Sequence, residues 1–343
     1  MRLIDTTSLQ IREVNPSASL RYAILSHRWE EGQEISFQEM LHPNQKTRSK
    51  SGYQKIKKFC KRAFDDEDIS QLSRSEWFKR GWTLQELLAP VKLQFFFKDW
   101  QLLGDKQHLI QTLSCITRIP EMCLKDYYGM VSASVAQKMS WASHRTTTRP
   151  EDMAYCLMGL FDVNMPPLYG EGSRAFLRLQ EEIIKISNDP SIFAWSVGDS
   201  LSFAQAHHEL LAESMRYFAG SHDIVGVSRM TKPYKMTHNG IKTTIPMRKS
   251  DASHHTAYIC AARVKNGTPT EYLGIVLKSI GGQNFKRTSF DDLPVIAEDR
   301  PTEVKRNDPS LDGMEQFTIF VPQRLMTFIP PQDMIDIVGT LGP

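Results

Sequence analysis

The sequence predicts an α/β domain over residues 1–196, followed by a mainly β domain over residues 197–343. In the first region, short apolar runs that are typical of buried strands alternate with amphipathic helical stretches. In the second region, strand-like runs are separated by glycine, proline and asparagine, and an Asn-Gly pair at 266–267 is typical of a hairpin turn. A chain of 343 residues is long enough for two such domains.

The elements of the first region follow from apolar spacing and from capping residues. Tyr22–Ser26 and Leu93–Phe97 are predicted to be short buried strands. Ser73–Glu76 fits a capping box, which predicts a helix that runs toward Leu88 despite Gly81. Helices are predicted at Gly52–Phe64, Ser73–Leu88, Lys106–Ile116, Ser134–Ala142, Pro150–Leu160 and Ser173–Ser187. In the second region, strands are predicted at 240–247, 256–264, 272–280 and 317–322.

The composition excludes several classes of protein. The net charge is only +3, from 42 basic and 39 acidic residues, so neither nucleic acid nor a membrane surface is an expected partner. Five cysteines without a CxxC pair indicate a reduced, cytoplasmic setting rather than a disulfide framework or a zinc site. The adjacent histidine pairs at 207–208 and 254–255 lack the spacing of metal ligands, so no metal is expected. The chain shows neither a signal-peptide core nor an apolar run long enough to span a membrane.

Three sequence blocks resemble one protein family. They are YAILSHRW at Tyr22–Trp29, RGWTLQEL at Arg80–Leu87, and MSWASHRTTTRPEDMAYCLMGLFDVNMPPLYGEG at Met139–Gly172. In this order they resemble the fungal heterokaryon-incompatibility (HET) domain, and the resemblance covers about residues 1–196. It implies an effector of fungal non-self recognition, which triggers regulated cell death when incompatible strains fuse.

The family resemblance also implies a fold and a chemistry. HET domains are similar to TIR domains, which have a doubly wound, flavodoxin-like parallel sheet. The Tyr22–Ser26 run would then be the first strand of that sheet. The WTLQEL segment resembles a TIR helix motif whose glutamate is catalytic in NAD⁺ glycohydrolases, and the matching position is Glu86. The resemblance therefore implies that NAD⁺ is a substrate and that no separate cofactor is needed.

One expected segment is absent from the sequence. Most HET proteins carry a WIDTCCIDK-like strand, a helix and a second strand before the RGWTLQEL block, whereas here FCKRAFDDED at 59–68 leads directly into ISQLSRSEWF at 69–78. Such a segment would need about 45 residues. Without it, Tyr22–Ser26 loses both neighbours of a 2-1-3-4-5 sheet, and each unpaired buried backbone group would cost about 1–3 kcal/mol.

Three explanations of this absence are open. The strand at Leu93–Phe97 moves beside Tyr22–Ser26, or the region does not fold as a TIR-like domain, or the sequence has lost an exon. We favour a lost exon or a degenerate paralogue, because a rearranged fold would have to replace both ladder partners of one strand.

Glu86 is the predicted catalytic residue. Its carboxylate would contact the nicotinamide ribose and stabilise the oxocarbenium-like transition state as the N-glycosidic bond breaks. Nicotinamide leaves NAD⁺ as a neutral molecule, so no strong general acid is required. The alternative is a solvated glutamate on a helix surface.

The predicted substrate-binding residues lie in two places. The loop after the first strand carries Ser26, His27, Arg28 and Trp29, at the strand end where open α/β sheets bind ligands. Arg28 is either a phosphate ligand or the ion-pair partner of Glu30 or Glu31. Trp29 either stacks on a base or packs against Trp82.

The second place is the RGWTLQEL block. Arg80 would orient Glu86 or a phosphate, and Trp82 lies four residues before Glu86 on the same helix face. A core tryptophan that holds the helix is the alternative for Trp82.

Two functions compete for the whole chain. The first is a HET effector that self-associates, forms a composite site and depletes NAD⁺. The second is a non-enzymatic interaction module or a degenerate HET paralogue. Either would act through self-association or by binding another HET, TIR-like or recognition protein.

Overall fold

A computed structural model of the chain describes residues 2–4, 8–13, 30–61, 69–97, 102–197, 210–227, 234–265, 267–288, 293–297 and 315–321. The chain divides into two compact units. Unit 1 consists of Met1–Ser132 together with Arg145–Thr147, and unit 2 consists of Ala133–His144 together with Thr148–Pro343. The predicted domain boundary at residue 196 falls inside unit 2, and it stays a prediction.

Unit 1 is mainly helical in its described part. Its helices are α1 (Phe37–Leu41), α2 (Gln45–Ser49), α3 (Ser51–Lys61), α4 (Thr83–Leu88), α5 (Ile110–Thr117), α6 (Glu121–Lys125) and α7 (Tyr127–Ser132), with 3₁₀ turns at Ile69–Arg74 and Glu76–Lys79. Its strands are β1 (Arg2–Ile4), β2 (Ile11–Glu13), β3 (Gln94–Phe96) and β4 (Leu102–Asp105). The fully buried side chains of Leu84, Leu87, Leu113, Ile119 and Leu124 form the apolar interior.

The described strands of unit 1 form two separate antiparallel ladders. Strand β1 pairs with β2, and β3 pairs with β4, with a register shift between Phe95 and Phe96. The predicted strand at Leu93–Phe97 is therefore present, and its described partner is β4. Tyr22–Ser26 lies outside the described residues, so the flavodoxin-like parallel sheet stays a prediction.

Two helix predictions in unit 1 were wrong in extent. The predicted helix from Ser73 toward Leu88 is interrupted, because the backbone N–H of Gly81 donates to Thr146 O (2.9 Å) instead of to a helical carbonyl. The predicted helix at Lys106–Ile116 begins only at Ile110, because Asp105 accepts bonds from the backbone N–H groups of Gln107 and His108 and holds a turn there.

Unit 2 combines a helical part with a β-sheet. Its helices are α8 (Val135–Ala142), α9 (Asp152–Tyr155), α10 (Met158–Phe161) and α11 (Arg174–Ile186), with 3₁₀ turns at Pro190–Phe193 and Met215–Phe218. The predicted helix at Pro150–Leu160 is divided into α9 and α10 by a turn at Cys156, where Leu157 N donates to Ala154 O (3.0 Å). The predictions at Ser134–Ala142 and Ser173–Ser187 are confirmed by α8 and α11 to within a residue at each end.

The strands of unit 2 belong to one sheet. They are β5 (Ile224–Gly226), β6 (Lys235–Thr237), β7 (Gly240–Lys249), β8 (His254–Lys265), β9 (Thr268–Gly281), β10 (Asn284–Arg287), β11 (Val295–Ala297) and β12 (Glu315–Val321). A strand is present at each of the four predicted positions. The hairpin is also present, since β8 and β9 pair with Lys265 opposite Thr268, and Gly267 adopts a positive φ of +77°.

Five of these strands close into a ring. Pairing runs from β7 to β8, β9, β10 and β12, and β12 returns antiparallel to β7. Because an odd number of strands cannot alternate in direction all the way round, one neighbouring pair must be parallel. That pair is β10 with β12, where Asn284 lies opposite Phe320.

Among the described residues, the longest helix is α11 with 13 residues, and none of the helices has the length and apolar character to cross a membrane.

Candidate functional site

The RGWTLQEL block lies on the surface of unit 1, anchored by its leucines. Leu84 and Leu87 are completely buried, which fixes one face of α4 to the interior. On the other side, the Trp82 side chain is 38% exposed and Glu86 is half-buried. Trp82 precedes α4 with helical backbone angles (φ −60°, ψ −31°), so its four-residue spacing from Glu86 follows the helix.

The start of α4 is held by a buried arginine from a distant part of the chain. We use the name RGWT turn for Arg80–Thr83. The Arg145 side chain is 3% exposed, and its Nη1 donates to both Arg80 O and Thr83 Oγ1 at 2.9 Å. Thr83 Oγ1 also lies 2.5 Å from Trp77 O and 2.9 Å from Arg80 O. The hydroxyl therefore links the preceding 3₁₀ turn, the RGWT turn and the guanidinium.

Backbone bonds add to this link. Thr146 N donates to Lys79 O (2.7 Å), and Gly81 N donates to Thr146 O (2.9 Å), which makes a parallel bridge between Arg80 and Thr146. These bonds satisfy backbone groups that a turn between two short helices leaves without intrahelical partners.

Aromatic side chains attach the 3₁₀ turn Glu76–Lys79, which precedes this block, to β3. The Trp77 ring packs edge-on against Phe95 with ring centroids 5.8 Å apart, and Phe78 stacks on Phe95 at 6.3 Å. Such pairs contribute about 0.5–1.5 kcal/mol beyond the area that they bury. The turn that carries Trp82 is thus fixed on two sides, by Arg145 and by the aromatic cluster.

The end of α4 is held by Lys106. The Lys106 side chain is 2% exposed, and its Nζ donates to Pro90 O (3.2 Å) and Leu88 O (3.4 Å). A cation at this position is favoured by the negative end of the helix dipole. Burial acts in the opposite direction and lowers the pKa of Lys106 to about 8.

Two of the predicted site residues lie at α4. Trp82 immediately precedes the helix and Glu86 lies four residues later, a spacing that puts both on one helix face. Arg80 begins the turn, and its carbonyl oxygen is occupied by Thr83 and Arg145. Ser26, His27, Arg28 and Trp29 lie outside the described residues. The roles of these residues stay predictions.

The YGEG loop, Tyr169–Gly172 in unit 2, is fixed by a carboxylate. Glu151 is 5% exposed, and its Oε1 accepts from Gly170 N (2.8 Å) and Gly172 N (3.0 Å). Both glycines have positive φ, +103° and +58°, which other residues rarely adopt. The N–H groups of Glu151 itself, Gly170 and Gly172 lower the pKa of the Glu151 carboxyl. These contacts therefore fix the loop that immediately precedes α11.

A second group of polar side chains lies behind this loop. Tyr155 OH donates to Glu171 Oε1 (2.6 Å) and accepts from Leu168 N (2.7 Å). Arg178 Nη2 donates to the same Glu171 oxygen (2.5 Å) and to Pro166 O (2.8 Å). Burial and the hydrogen bond to Glu171 raise the pKa of Tyr155. These contacts give the acidic and aromatic residues of the motif structural roles.

Sequence reasoning did not identify Arg145, Lys106 or Glu151 as anchors. Arg145 lies in the polar run SHRTTTR, where no periodicity distinguishes it, and it meets the RGWT turn 62–65 residues away. The only available signal was for Glu151, because an acid after Pro150 suits a helix start.

No group of three or more His, Cys, Asp and Glu side chains suited to a metal ion occurs within the described part of the chain. His254 contacts Asp251 instead, with Nδ1 2.8 Å from Oδ2.

Comparison with known proteins gives two matches. A family model described as a domain of unknown function (DUF8212) matches residues 174–276, which lie within unit 2. The chain is also 44% identical over 113 residues to the vegetative incompatibility protein HET-E-1 of Podospora anserina, a segment that makes up 33% of this chain and 8% of that protein. No solved structure matches. The similarity supports a relation to a fungal incompatibility protein, whereas the TIR-like N-terminal region and the missing segment stay predictions.

Proposed function

We propose that this protein acts in fungal heterokaryon incompatibility, as an effector of non-self recognition and regulated cell death. The observation that carries the proposal is the 44% identity over 113 residues to a vegetative incompatibility protein. Because that segment covers only 8% of the relative, the role is inferred for this chain and is not transferred from a full-length match.

The proposed chemistry is NAD⁺ hydrolysis at Glu86. The bond between ribose C1′ and the nicotinamide nitrogen breaks, and its electron pair leaves with nicotinamide, which becomes neutral. Water adds to C1′ and releases a proton, which gives ADP-ribose. The half-buried Glu86 carboxylate would stabilise the positive charge on the ribose, and Trp82 would cover the nicotinamide ring.

A non-enzymatic interaction module is the second candidate. It is favoured by the absence of the strand–helix–strand segment between residues 59–68 and 69–78. The two separate short ladders described in unit 1 agree with it. On this alternative, self-association or binding to another recognition protein produces the response without cleavage of NAD⁺.

The deciding experiment is inducible expression of the full chain in a filamentous fungus. Cell viability and cellular NAD⁺ are followed for the wild type, for Glu86→Gln and for Glu76→Gln. Glu76 is the matched control, because it lies in the same segment, is 53% exposed and pairs with Lys79 at 2.7 Å. We expect death with loss of NAD⁺ in the wild type and in Glu76→Gln, and neither in Glu86→Gln.

Each other outcome has one meaning. Death without NAD⁺ loss, unaffected by Glu86→Gln, establishes the interaction module and rejects the enzyme. The same strains are also tested with the protein fused to a tetrameric coiled coil, which forces assembly. If every strain survives although folded protein is present at normal levels, the role in cell death is rejected.

A further inference from the structure

Three residues of unit 1 interrupt the sequence of unit 2. Arg145–Thr147 belongs to unit 1, whereas Ala133–His144 and Thr148–Pro343 belong to unit 2. Through these three residues the chain gives the RGWT turn one backbone hydrogen bond at Gly81 and one buried guanidinium, and gives Lys79, just before the turn, a second backbone bond. The bonds meet the turn immediately before the helix that carries Glu86.

The guanidinium has a defined geometric task at this turn. Arg80 O and Thr83 Oγ1 both accept from Nη1 of Arg145, at 2.9 Å each. Arg80 O is also within 2.9 Å of the Thr83 hydroxyl, so the three groups form a closed set of contacts. A planar guanidinium fixes the directions of its N–H bonds, which the flexible ammonium of lysine does not do.

We propose that Arg145 is a positioning residue for the Glu86 site. It holds the RGWT turn, and therefore sets where α4 begins and how Trp82 and Glu86 are presented to NAD⁺. This inference rests on the proposed NAD⁺ hydrolysis. Arg145 does not touch the substrate, and its effect passes through Arg80 and Thr83.

Loss of Arg145 is expected to slow catalysis, because Glu86 must be placed accurately to stabilise the charge of the transition state. A displacement of about 1 Å at a catalytic group costs on the order of a hundredfold in rate. Because Glu86 acts on the transition state, its displacement lowers kcat more than it raises KM. We expect Arg145→Met to lower kcat at least tenfold, with KM changed less than about threefold.

Two measurements on the full chain, forced to assemble by a fused coiled coil, test the inference. The first is hydrogen exchange at the amides of Gly81 and Thr146, read by mass spectrometry for Arg145→Met and for the milder Arg145→Lys. The second is steady-state NAD⁺ cleavage by the same proteins, normalised to folded protein. We expect exchange at both amides to accelerate at least about tenfold in Arg145→Met, with a smaller increase in Arg145→Lys.

The matched control is Arg287→Lys in unit 2. Arg287 is completely buried and donates to the backbone carbonyls of Phe193 and Trp195, as the buried Arg145 donates to that of Arg80. Its replacement should lower stability and leave both the exchange at Gly81 and the kcat of the folded protein unchanged. This separates loss of position from general loss of stability.

The outcomes distinguish this inference from the proposed function. Unchanged exchange at Gly81 and Thr146 in Arg145→Met overturns the positioning role, whatever the NAD⁺ assay shows. Faster exchange with an unchanged kcat overturns it as well, because the turn would then not govern Glu86. Intact NAD⁺ with the wild type rejects the proposed enzyme, and the role of Arg145 in its site is rejected with it, even where exchange shows that Arg145 holds the turn.

Discussion

The RGWT turn of unit 1 and the YGEG loop of unit 2 are held by side chains of opposite charge. Arg145 donates to the carbonyl of Arg80 at the start of the RGWTLQEL block, and Lys106 donates to the carbonyls of Leu88 and Pro90 just after it. Glu151 accepts from backbone N–H groups of the YGEG loop. The difference follows from the backbone groups at each place. Arg80 O follows the 3₁₀ turn Glu76–Lys79 and Pro90 O follows α4, where carbonyls lack helical partners, whereas Gly170 and Gly172 precede α11, where N–H groups lack them.

The comparison also separates structural carboxylates from a candidate catalytic one. Glu151 is 5% exposed and is bonded to two glycine N–H groups, and Glu171 is bonded to Tyr155 and Arg178. Glu86 is half-buried and lies four residues after Trp82, which is 38% exposed, and its catalytic role stays a proposal. A residue type repeated in a motif is therefore not enough to indicate chemistry, and the environment has to decide.

The largest expected loss of stability comes from removing the cation that pairs with the structural carboxylate of Glu171. Arg178→Met removes the donor to Glu171 and Pro166 O and leaves a carboxylate that is 15% exposed without its cation. We expect a loss of about 3 kcal/mol in the free energy of unfolding, measured by urea denaturation. Arg174→Met, at an exposed position of the same helix, is the control and should change it by less than about 0.5 kcal/mol. Replacing Glu171 by Gln together with Arg178→Met should recover part of the loss.

The next prediction concerns how the free energy of unfolding depends on pH through Lys106, the cation at the end of α4. Because burial lowers the pKa of Lys106 to about 8 from 10.5, the unfolded chain binds more protons than the folded one between these pH values. The stability of the wild type relative to Lys106→Met should therefore rise from pH 8 toward pH 10.5, by about 2 kcal/mol. Lys79→Met, at a lysine that is 59% exposed, should show no such pH-dependent difference.

A fall in that difference over the same pH range would have the opposite meaning. It would show that the carbonyls of Leu88 and Pro90 stabilise the ammonium more than burial destabilises it.

Thr83→Val tests whether the Thr83 hydroxyl stabilises the RGWT turn, because valine keeps the shape of the side chain and removes the hydroxyl. Trp77 O loses a donor and Arg145 loses an acceptor in a site that is 4% exposed. We expect a loss of about 1–2 kcal/mol by urea denaturation, and recovery of most of it in Thr83→Ser. Equal stability of the valine and serine variants would contradict the hydroxyl's role.

The smallest effect concerns acid unfolding of unit 2. The pKa of Glu151 is lowered in the folded state, so its stabilisation is fully present above the ordinary glutamate value of about 4.3 and is lost as the pH falls through the lower folded value. Glu151→Gln should therefore be less stable than the wild type at pH 7, and the difference should shrink below about pH 4. Melting temperature measured against pH gives the comparison. A difference that stays constant down to pH 2 would show that hydrogen-bond geometry, and not charge, stabilises the loop.

Local patterns predicted the elements whose stability is local. Apolar spacing located α11, and the Asn-Gly pair located the β8–β9 hairpin. The predictions were wrong at Gly81, where Thr146 captures the N–H, and at Lys106, where Asp105 holds a turn. The Gly81 failure arises from a residue 65 positions further along the chain, which no window of local sequence includes.

The roles of the candidate site residues stay predictions. A motif indicated Trp82 and Glu86, and the structure places Trp82 immediately before α4 and Glu86 within it. Arg145 carries no sequence signal, because its importance depends on the meeting of two distant segments at the RGWT turn.

The closed ring of strands has a consequence for synthesis on the ribosome. Strands β7 to β10 are made first, and their hairpins pair neighbours in sequence, but β12 closes the ring only when residues 315–321 have been translated. Until then, the edge of β7 that later pairs with β12 over Ile241–Met247 is an open strand edge, which favours pairing with another chain. A messenger RNA that stops before codon 315 would therefore yield a protein whose β7 edge stays unpaired and prone to association with other chains.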